Sequence, residues 1–148
     1  MQITSRFTVA IHILTCIDYF KEERRVTSEF LAGSVNANAV IIRNVLSQLR
    51  TAGIVSTRQG SGGAAITKPL NEISLYDIYK AVDCVDENGL FGFHANPNTD
   101  CPIGRNIHKT MDKHLSVIQN SMENELKNVY LSDIVEDTIT QIHAENGK

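Results

Sequence analysis

The 148-residue chain has no tryptophan, and it has only three cysteines, at positions 16, 84 and 101. An odd number of cysteines without a framework spacing predicts a reducing compartment and at least one free thiol. Apolar runs are only a few residues long, whereas a membrane-spanning helix needs about 20 apolar residues. The N-terminus lacks a basic segment followed by an apolar one, so no signal peptide is expected. These absences predict a cytoplasmic protein with no membrane partner.

Acidic residues are missing from one long segment of the chain. Residues 30–71 contain no Asp or Glu, but they include the basic residues Arg43, Arg50, Arg58 and Lys68. The whole chain has a net charge of −3, which divides into +4 over residues 1–70 and −7 over residues 71–148. Phosphate binding needs a local basic surface rather than a basic whole. The charge asymmetry therefore predicts a first half that faces nucleic acid.

Three helices are predicted in this half. Residues 5–20 are apolar on nearly every side, which is typical of a helix buried on most of its surface. Thr27 is a predicted N-cap of a second, short helix that ends near residue 34. A third helix over residues 39–52 ends at Gly53, and its predicted inward face consists of Ile42, Val45, Leu46 and Leu49. Two short helices joined by a turn of three or four residues are typical of a helix-turn-helix.

The opposite face of the third helix carries side chains that suit base recognition. A recognition helix reads bases mainly with its N-terminal residues. Arginine can bind guanine through two hydrogen bonds, asparagine can bind adenine in the same way, and an aliphatic group can contact the thymine methyl. The alternative is an ordinary solvated helix face. The DNA-binding candidates on this helix are Asn38, Val40, Arg43, Asn44 and Ser47.

A glycine-rich hairpin is predicted directly after this helix. Residues 54–57 and 64–67 are β-like, and they flank a tip that begins at Arg58. Glycines permit positive φ and a close approach of the backbone to phosphate. The alternative, a nucleotide-binding loop, lacks both GxGxxG and the Lys-Ser/Thr of a P-loop. Arg58, Gly60, Gly62 and Gly63 are therefore the predicted DNA contacts of a wing.

The second half is dominated by one long predicted helix. Residues 69–71 are expected to form a hinge, Ser74 and Asp77 have capping-box spacing, and residues 86–99 form a loop. Pro102 is expected at the first position of a helix that runs to about residue 128. Its single apolar stripe predicts a dimer interface, because a second copy would cover it; the alternative is a core helix of a monomer. The stripe consists of Ile103, Ile107, Met111, Leu115, Ile118, Met122 and Leu126.

Several segments together resemble a known family of winged-helix repressors. This family includes the iron–sulfur cluster assembly regulator, the nitrite/nitric-oxide-sensing repressor and the cysteine-metabolism repressor. The segments are spread over nearly the whole chain, and the combination of LxxAGI/V with GxGG is fairly specific. They are residues 1–6 (MQITSR), 46–55 (LSQLRTAGIV), 58–63 (RQGSGG), 73–78 (ISLYDI), 101–107 (CPIGRNI) and 131–134 (LSDI).

The resemblance implies a homodimeric transcription regulator, usually a repressor, that binds double-stranded operator DNA. It implies a mainly α fold with a small β-hairpin wing, in which a winged helix-turn-helix precedes a long dimerisation helix. The expected division is a DNA-binding domain over residues 1–84, a sensing loop over 85–101, and dimerisation and C-terminal helices over 102–148. Members often carry an acidic residue at the position of Arg43, so a different operator is expected here. A two-fold dimer predicts a palindromic operator.

The cysteines depart from the pattern of the cluster-binding members, which carry three closely spaced cysteines in the loop. Here the loop contains only Cys101, and Cys84 precedes it. A cluster takes about four thiolate-like ligands, so an iron–sulfur cluster is not expected, although His94 or His108 could substitute for a cysteine. Zinc bound by Cys84, His94 and Cys101 is not expected either, because CxxC and HxxxH spacings are missing. No cofactor is therefore expected. Cys101 is predicted beside the N-terminus of the long helix, where the helix dipole favours the oxidisable thiolate. It is a candidate redox thiol, oxidised alone, paired with Cys84, or paired with a thiol of a second subunit. The alternative is an inert capping or packing residue.

No catalytic constellation is visible, so the chain is not expected to be an enzyme. The leading hypothesis is a sequence-specific DNA-binding regulator that responds to redox state through Cys101. One alternative is a regulator that senses a small molecule without cysteine chemistry. Another is a winged-helix module that binds protein instead of DNA.

Overall fold

The computed structural model describes residues 4–58, 63–83, 85 and 89–147, and it shows a mainly helical fold with one small hairpin. This confirms the predicted fold class. The first three helices, the hairpin and a short 3₁₀ turn precede three further helices. The elements are α1 (Arg6–Phe20), α2 (Ser28–Val35), α3 (Ala39–Thr51), β1 (Val55–Thr57), β2 (Ala64–Ile66), the 3₁₀ turn (Leu70–Glu72), α4 (Leu75–Ala81), α5 (Pro102–Leu126) and α6 (Leu131–Asn146).

The core forms around α1, which contacts α2, α3, α4, α6 and β2. This confirms the prediction that the first helix is buried on most sides. The inward face of α3 is buried against it, as the spacing of Ile42, Val45, Leu46 and Leu49 predicts. The first part of α6 adds Leu131 and Val135 to the same core. The core therefore contains residues from both sides of the expected boundary at residue 102.

The end of α3 determines where the hairpin begins. Gly53 has a φ of +78°, a conformation that favours glycine. The Gly53 N–H donates to the Arg50 carbonyl at 3.0 Å, and the Ile54 N–H donates to the Leu49 carbonyl at 3.0 Å. This pair of bonds is a Schellman motif, which closes the helix and redirects the chain. Strands β1 and β2 then pair antiparallel, with Val55 opposite Ile66.

The hinge expected over residues 69–71 coincides with a short 3₁₀ turn, and the hinge itself stays a prediction. Residues Leu70–Glu72 form the 3₁₀ turn. The segment after it is bonded to residues at the start of α6 and just before it. The Leu75 N–H donates to the Val129 carbonyl, and the Leu131 N–H donates to the Ile73 carbonyl, each at 2.8 Å. These long-range bonds connect residues 73–75 to the chain around residue 130.

The ends of the helices in the second half are close to those expected. The capping box of Ser74 and Asp77 is present at the start of α4. Helix α5 begins at Pro102 but ends at Leu126, two residues early, and α6 continues about one turn beyond residue 142. In the part of the chain that the structure describes, no helix is long and apolar enough to cross a membrane.

Candidate nucleic-acid interface

The turn between α2 and α3 is shaped by two asparagines and a threonine. The Thr27 hydroxyl accepts a hydrogen bond from the Phe30 N–H at the start of α2. Asn36 ends this helix in the left-handed conformation, with a φ of 60°. The Asn38 side-chain oxygen accepts from the Val40 N–H at 2.8 Å and so caps α3. Asn38 therefore has a local structural role, while its side-chain NH₂ makes no bond in this cap.

The outer face of α3 is exposed along its first two turns. Val40 is 53% exposed, and Arg43 and Asn44 are also exposed. Ser47, one turn further on, is half-buried. Ile41 is 45% exposed beside Val40, although the sequence reasoning did not include it. The face thus combines one cation, one amide and two aliphatic side chains near the N-terminus of the helix.

The hairpin is fastened to the body of the protein at its base. The Ala64 N–H donates to the Val26 carbonyl at 2.9 Å. A β-carbon at Gly63, whose φ is +73°, would lie 3.0 Å from backbone atoms of Val26. Gly63 is therefore required for this close approach rather than for a contact with DNA alone. Gly60 and Gly62 lie outside the described residues.

A cleft of about 450 Å³ lies between α2, α3 and the hairpin, and it brings several predicted residues together. Arg43, Ser47, Arg58 and Gly63 all line it, whereas Asn38, Val40 and Asn44 do not. Arg50 also lines the cleft, and its Nη1 donates to the Thr57 hydroxyl of β1 at 2.9 Å. Three guanidinium groups therefore border one cleft beside the exposed face of α3.

Arg50 and Glu29 are functional candidates that the sequence reasoning missed. Arg50 lies seven residues after Arg43, or about two helical turns, so the spacing could have placed both on one face. Glu29 lies just before the acid-free segment, but folding brings its Oε1 to 3.7 Å from Arg43 Nη1. Both side chains are more than half exposed; such pairs typically stabilise a fold by at most about 1 kcal/mol. The acid-free segment therefore does not produce an acid-free surface.

The candidate redox cysteine is at the predicted place. Cys101 is the N-cap residue of α5, where its side chain makes no capping hydrogen bond, and it is a half-buried free thiol. Cys16 is also a free thiol, but it is buried in α1, with its Sγ 3.3 Å from the Ser34 hydroxyl. Cys84 lies outside the described residues, so its pairing with Cys101 stays a prediction.

Comparisons with known proteins point to DNA-binding regulators. A family model, Rrf2, described as an iron-dependent transcriptional regulator, matches residues 3–137. YwnA of Bacillus subtilis (strain 168), whose name assigns it to the HTH-type transcriptional regulators, is 41% identical over 133 residues, which cover 90% of this chain and 96% of YwnA.

Solved structures share the architecture. The crystal structure of a protein described as DNA-binding matches with a TM-score of 0.69 and 36% identity, covering 88% of this chain and 98% of that chain. IscR of T. potens matches with a TM-score of 0.67, covering 93% of this chain and 88% of IscR. Its identity is 16%, so this likeness shows the fold alone.

Iron, which the family description names, has no visible ligand set among the described side chains. No three or more His, Cys, Asp or Glu residues converge there on a point that could hold a metal ion. An iron–sulfur centre takes about four thiolate-like ligands, and Cys101 is the one cysteine of the loop. The described residues therefore do not fit such a group. The expectation that the protein has no cofactor stays a prediction.

Proposed function

Because the chain belongs to the Rrf2 family of transcriptional regulators, we propose that it is a cytoplasmic, homodimeric repressor that binds a palindromic DNA operator. The membership confirms the resemblance seen in the sequence. YwnA is named as a transcriptional regulator, and the solved structure that is 36% identical is described as a DNA-binding protein. The observation that carries the proposal is the exposed outer face of α3 beside a cleft bordered by Arg43, Arg50 and Arg58.

The exposed N-terminal half of α3 enters the major groove. Arg43 can present two donors to guanine, Asn44 can bind adenine, and the exposed Val40 can contact a thymine methyl. The open position of these three side chains supports direct base contact, since none is buried by its own chain. Ser47, which is half-buried in the cleft, is better placed for a phosphate oxygen.

Arg58 and Arg50 bind the DNA backbone next to the wing. Arg58 is exposed at the base of the hairpin. Arg50 is held by Thr57, so its guanidinium spans from the recognition helix to β1. Phosphate contacts of this kind fix the register of the protein on DNA without reading sequence. Repression follows if this binding blocks access to a promoter.

The dimer forms through α5. This helix has 25 residues, all of them described, and none is buried by its own chain. Ile103 is 70% exposed, Val117 is 64% exposed and Ile118 is 52% exposed. Met122 and Leu126 pack instead against the core of their own chain, and Val117 is an addition to the predicted stripe. A second α5 would cover the exposed positions, because large apolar patches on a helix mark association surfaces.

Cys101 supplies the redox response. A peroxide oxidises the thiolate to sulfenic acid, and the second peroxide oxygen leaves as water or hydroxide. The sulfenic acid would lie at the junction of the loop and the dimerisation helix, because Cys101 is the N-cap of α5. Oxidation there would change how α5 starts and thereby how the two DNA-binding halves are spaced.

Substitution of the cleft arginines tests DNA binding. Bound duplexes are first selected from a random pool, and their affinity is then measured by fluorescence anisotropy between low and high salt. We expect Arg43→Ala to cost about 1–3 kcal/mol and to relax specificity at one base pair. Arg58→Ala should weaken binding to all sequences and reduce the salt slope by about 1.

Lys109→Ala is the matched control, because it removes one exposed positive charge from α5, far from the cleft along the chain. This variant should bind the selected duplex with the same affinity and salt dependence as the parent. The proposal fails if neither salt nor the two arginine substitutions alters binding to any duplex.

A further inference from the structure

A second cavity, of about 260 Å³, lies between the loop that follows Gly89 and one side of α5. It shares no residue with the cleft at the recognition helix. The loop contributes two phenyl rings, and α5 contributes one apolar and three polar side chains. The lining residues are Phe91, Phe93, Asp112, Leu115, Ser116 and Gln119.

The lining of this cavity combines one carboxylate with aromatic and aliphatic side chains. Asp112 is its one formally charged side chain, and within the described residues Asp112 has no ion-pair partner. Phe91, Phe93 and Leu115 supply apolar surface around that carboxylate. Apolar surface beside convergent polar groups is a feature of small-molecule sites, and here the two kinds of surface are about equal. Aromatic faces also attract cations, and they do so most strongly where water is displaced.

The Phe93 ring packs against a histidine of α5. The Phe93 ring meets the His108 ring of α5 edge-on, with centroids 5.1 Å apart. His108 in turn stacks on His94 of the loop at 5.2 Å. These contacts hold the loop against α5 and fix one wall of the cavity. From this arrangement we propose that the cavity binds a small organic ammonium ion with an apolar body, and that Gln119 couples its occupancy to the DNA-binding half.

Gln119 connects the cavity to the loop and to α4. Its Oε1 accepts from the Leu90 N–H at 2.9 Å, and its Nε2 donates to Glu123 Oε1 at 3.1 Å. The same Glu123 oxygen accepts from the Tyr79 hydroxyl of α4 at 3.1 Å. A β-carbon at Gly89 would lie 2.8 Å from Gln119 Oε1, so this glycine permits the close approach. An ammonium group that takes Gln119 Oε1 as an acceptor competes with the Leu90 N–H.

Helix α4 continues the connection to the recognition helix. The Tyr79 ring packs edge-on against Phe7 of α1, with centroids 6.1 Å apart. At the end of α4, the Val82 carbonyl accepts a hydrogen bond from Gln48 Nε2 of α3 at 3.3 Å. A change at Gln119 thus reaches α3 through side-chain hydrogen bonds and one helix. The coupling step rests on the proposed DNA-binding function, whereas the binding step does not.

Binding is tested on the full chain without DNA, using three probes of similar size and different charge. Benzylamine is cationic, benzyl alcohol is neutral and benzoate is anionic. Isothermal titration should show benzylamine binding at least about tenfold more tightly than either of the others. Asp112→Asn should abolish this preference, while Asp137→Asn, which removes one exposed carboxylate from α6, should preserve it. The site is refuted if benzylamine has no advantage, or if Asp112→Asn retains it.

Coupling is tested by adding benzylamine to the complex with a selected duplex. The duplex affinity of the parent should change by at least about threefold, and that of Asp112→Asn should not, which controls for the added salt. Gln119→Met keeps the length of the side chain but removes its hydrogen bonds. It should bind benzylamine more weakly, and at a benzylamine concentration that saturates it, its DNA affinity should not change. An unchanged parent, or a Gln119→Met variant that responds as the parent does, overturns the coupling. A chain that binds benzylamine but no duplex at all would overturn both the coupling and the proposed function, while the site itself would stand.

Discussion

The three arginines of the cleft differ in what holds them, and this difference separates their roles. Arg50 is anchored on Thr57, so it fixes the position of the hairpin relative to α3. Arg43 lies near Glu29, whose carboxylate can hold the guanidinium until a base replaces it. Arg58 forms no ion pair within the described residues, so it can adapt to a phosphate. The cleft thus contains Arg50 held by a hydrogen bond, Arg43 near a carboxylate, and Arg58 without an ion pair among the described residues.

At the same scale, Cys101→Ser tests the redox response. Hydrogen peroxide should weaken or strengthen binding of the parent to its selected duplex, and Cys101→Ser should bind equally before and after treatment. The serine keeps the size of the side chain but cannot be oxidised in this way. Electrophoretic mobility shift, with mass spectrometry to locate the added oxygen, provides the measurement.

Cys16→Ser is the control for this experiment. Cys16 is buried, so it should not react first, and its variant should respond to peroxide as the parent does. If Cys101→Ser still responds as the parent does, Cys101 is not the sensor.

Individual residues were predictable from sequence where their environment is local. Thr27, Gly53 and Ser74 act within a few residues of their own position, through caps and turns. Asn38, which was predicted as a base contact, also caps α3. The pairing of Arg43 with Glu29, and of Gln119 with Leu90, joins residues from different elements. Spacing along the chain contains no information on such pairs, so the sequence could not predict them.

Among the elements, helices were predicted better than connections. Each long helix has its own periodicity and its own start signal, and Pro102 marks the start of α5. Pro69 and Asn71 suggest a hinge because they usually mark turns. The structure forms a 3₁₀ turn at Leu70–Glu72, and the backbone bonds of Leu75 and Leu131 join the segment after it to a distant part of the chain. Local turn signals could not predict those long-range bonds.

The start of α4 offers a test of one such element. Ser74 accepts a hydrogen bond from the Asp77 N–H at 3.1 Å, and it also pairs with Tyr130 in a β-bridge. Ser74→Ala should lower the free energy of unfolding by about 0.5–2 kcal/mol, because it removes one side of a capping box. Urea denaturation at fixed protein concentration measures the effect, with the m-value unchanged.

Ser5→Ala serves as the matched control. Ser5 is the N-cap residue of α1, but its side chain makes no capping hydrogen bond. Its substitution should change stability by no more than about 0.5 kcal/mol. Equal losses from both substitutions would contradict the role of the Ser74 hydroxyl.

At the scale of the whole molecule, the basic half and the acidic half of the sequence contribute different surfaces. The basic half presents α3 and the hairpin, and the acidic half contains α5 and α6. Helix α6 joins the two, because Leu131 and Val135 lie in the core beside α1. Helix α5 contacts α4, and α4 contacts α3, so α4 connects α5 to the body that carries the recognition helix. In a two-fold dimer, the two recognition helices would have to lie about 34 Å apart to reach successive major grooves.

The dimer itself is the last prediction. Ile118→Glu places a charge at a position of α5 that is 52% exposed in the single chain. The fold should tolerate it, but burial against a second α5 should not, so the dimer dissociation constant should rise at least about tenfold. Asn120→Glu adds the same charge about 200° around the same helix and should leave the dimer intact.

Sedimentation equilibrium measures both variants, and circular dichroism confirms that their helix content matches the parent. DNA affinity should fall with the loss of the dimer, since two half-sites are then no longer bound together. An Ile118→Glu chain that sediments as a dimer at the same concentration as the parent would place the interface elsewhere. A parent chain that sediments as a monomer would refute the dimer through α5. It would also remove the reason to expect a palindromic operator.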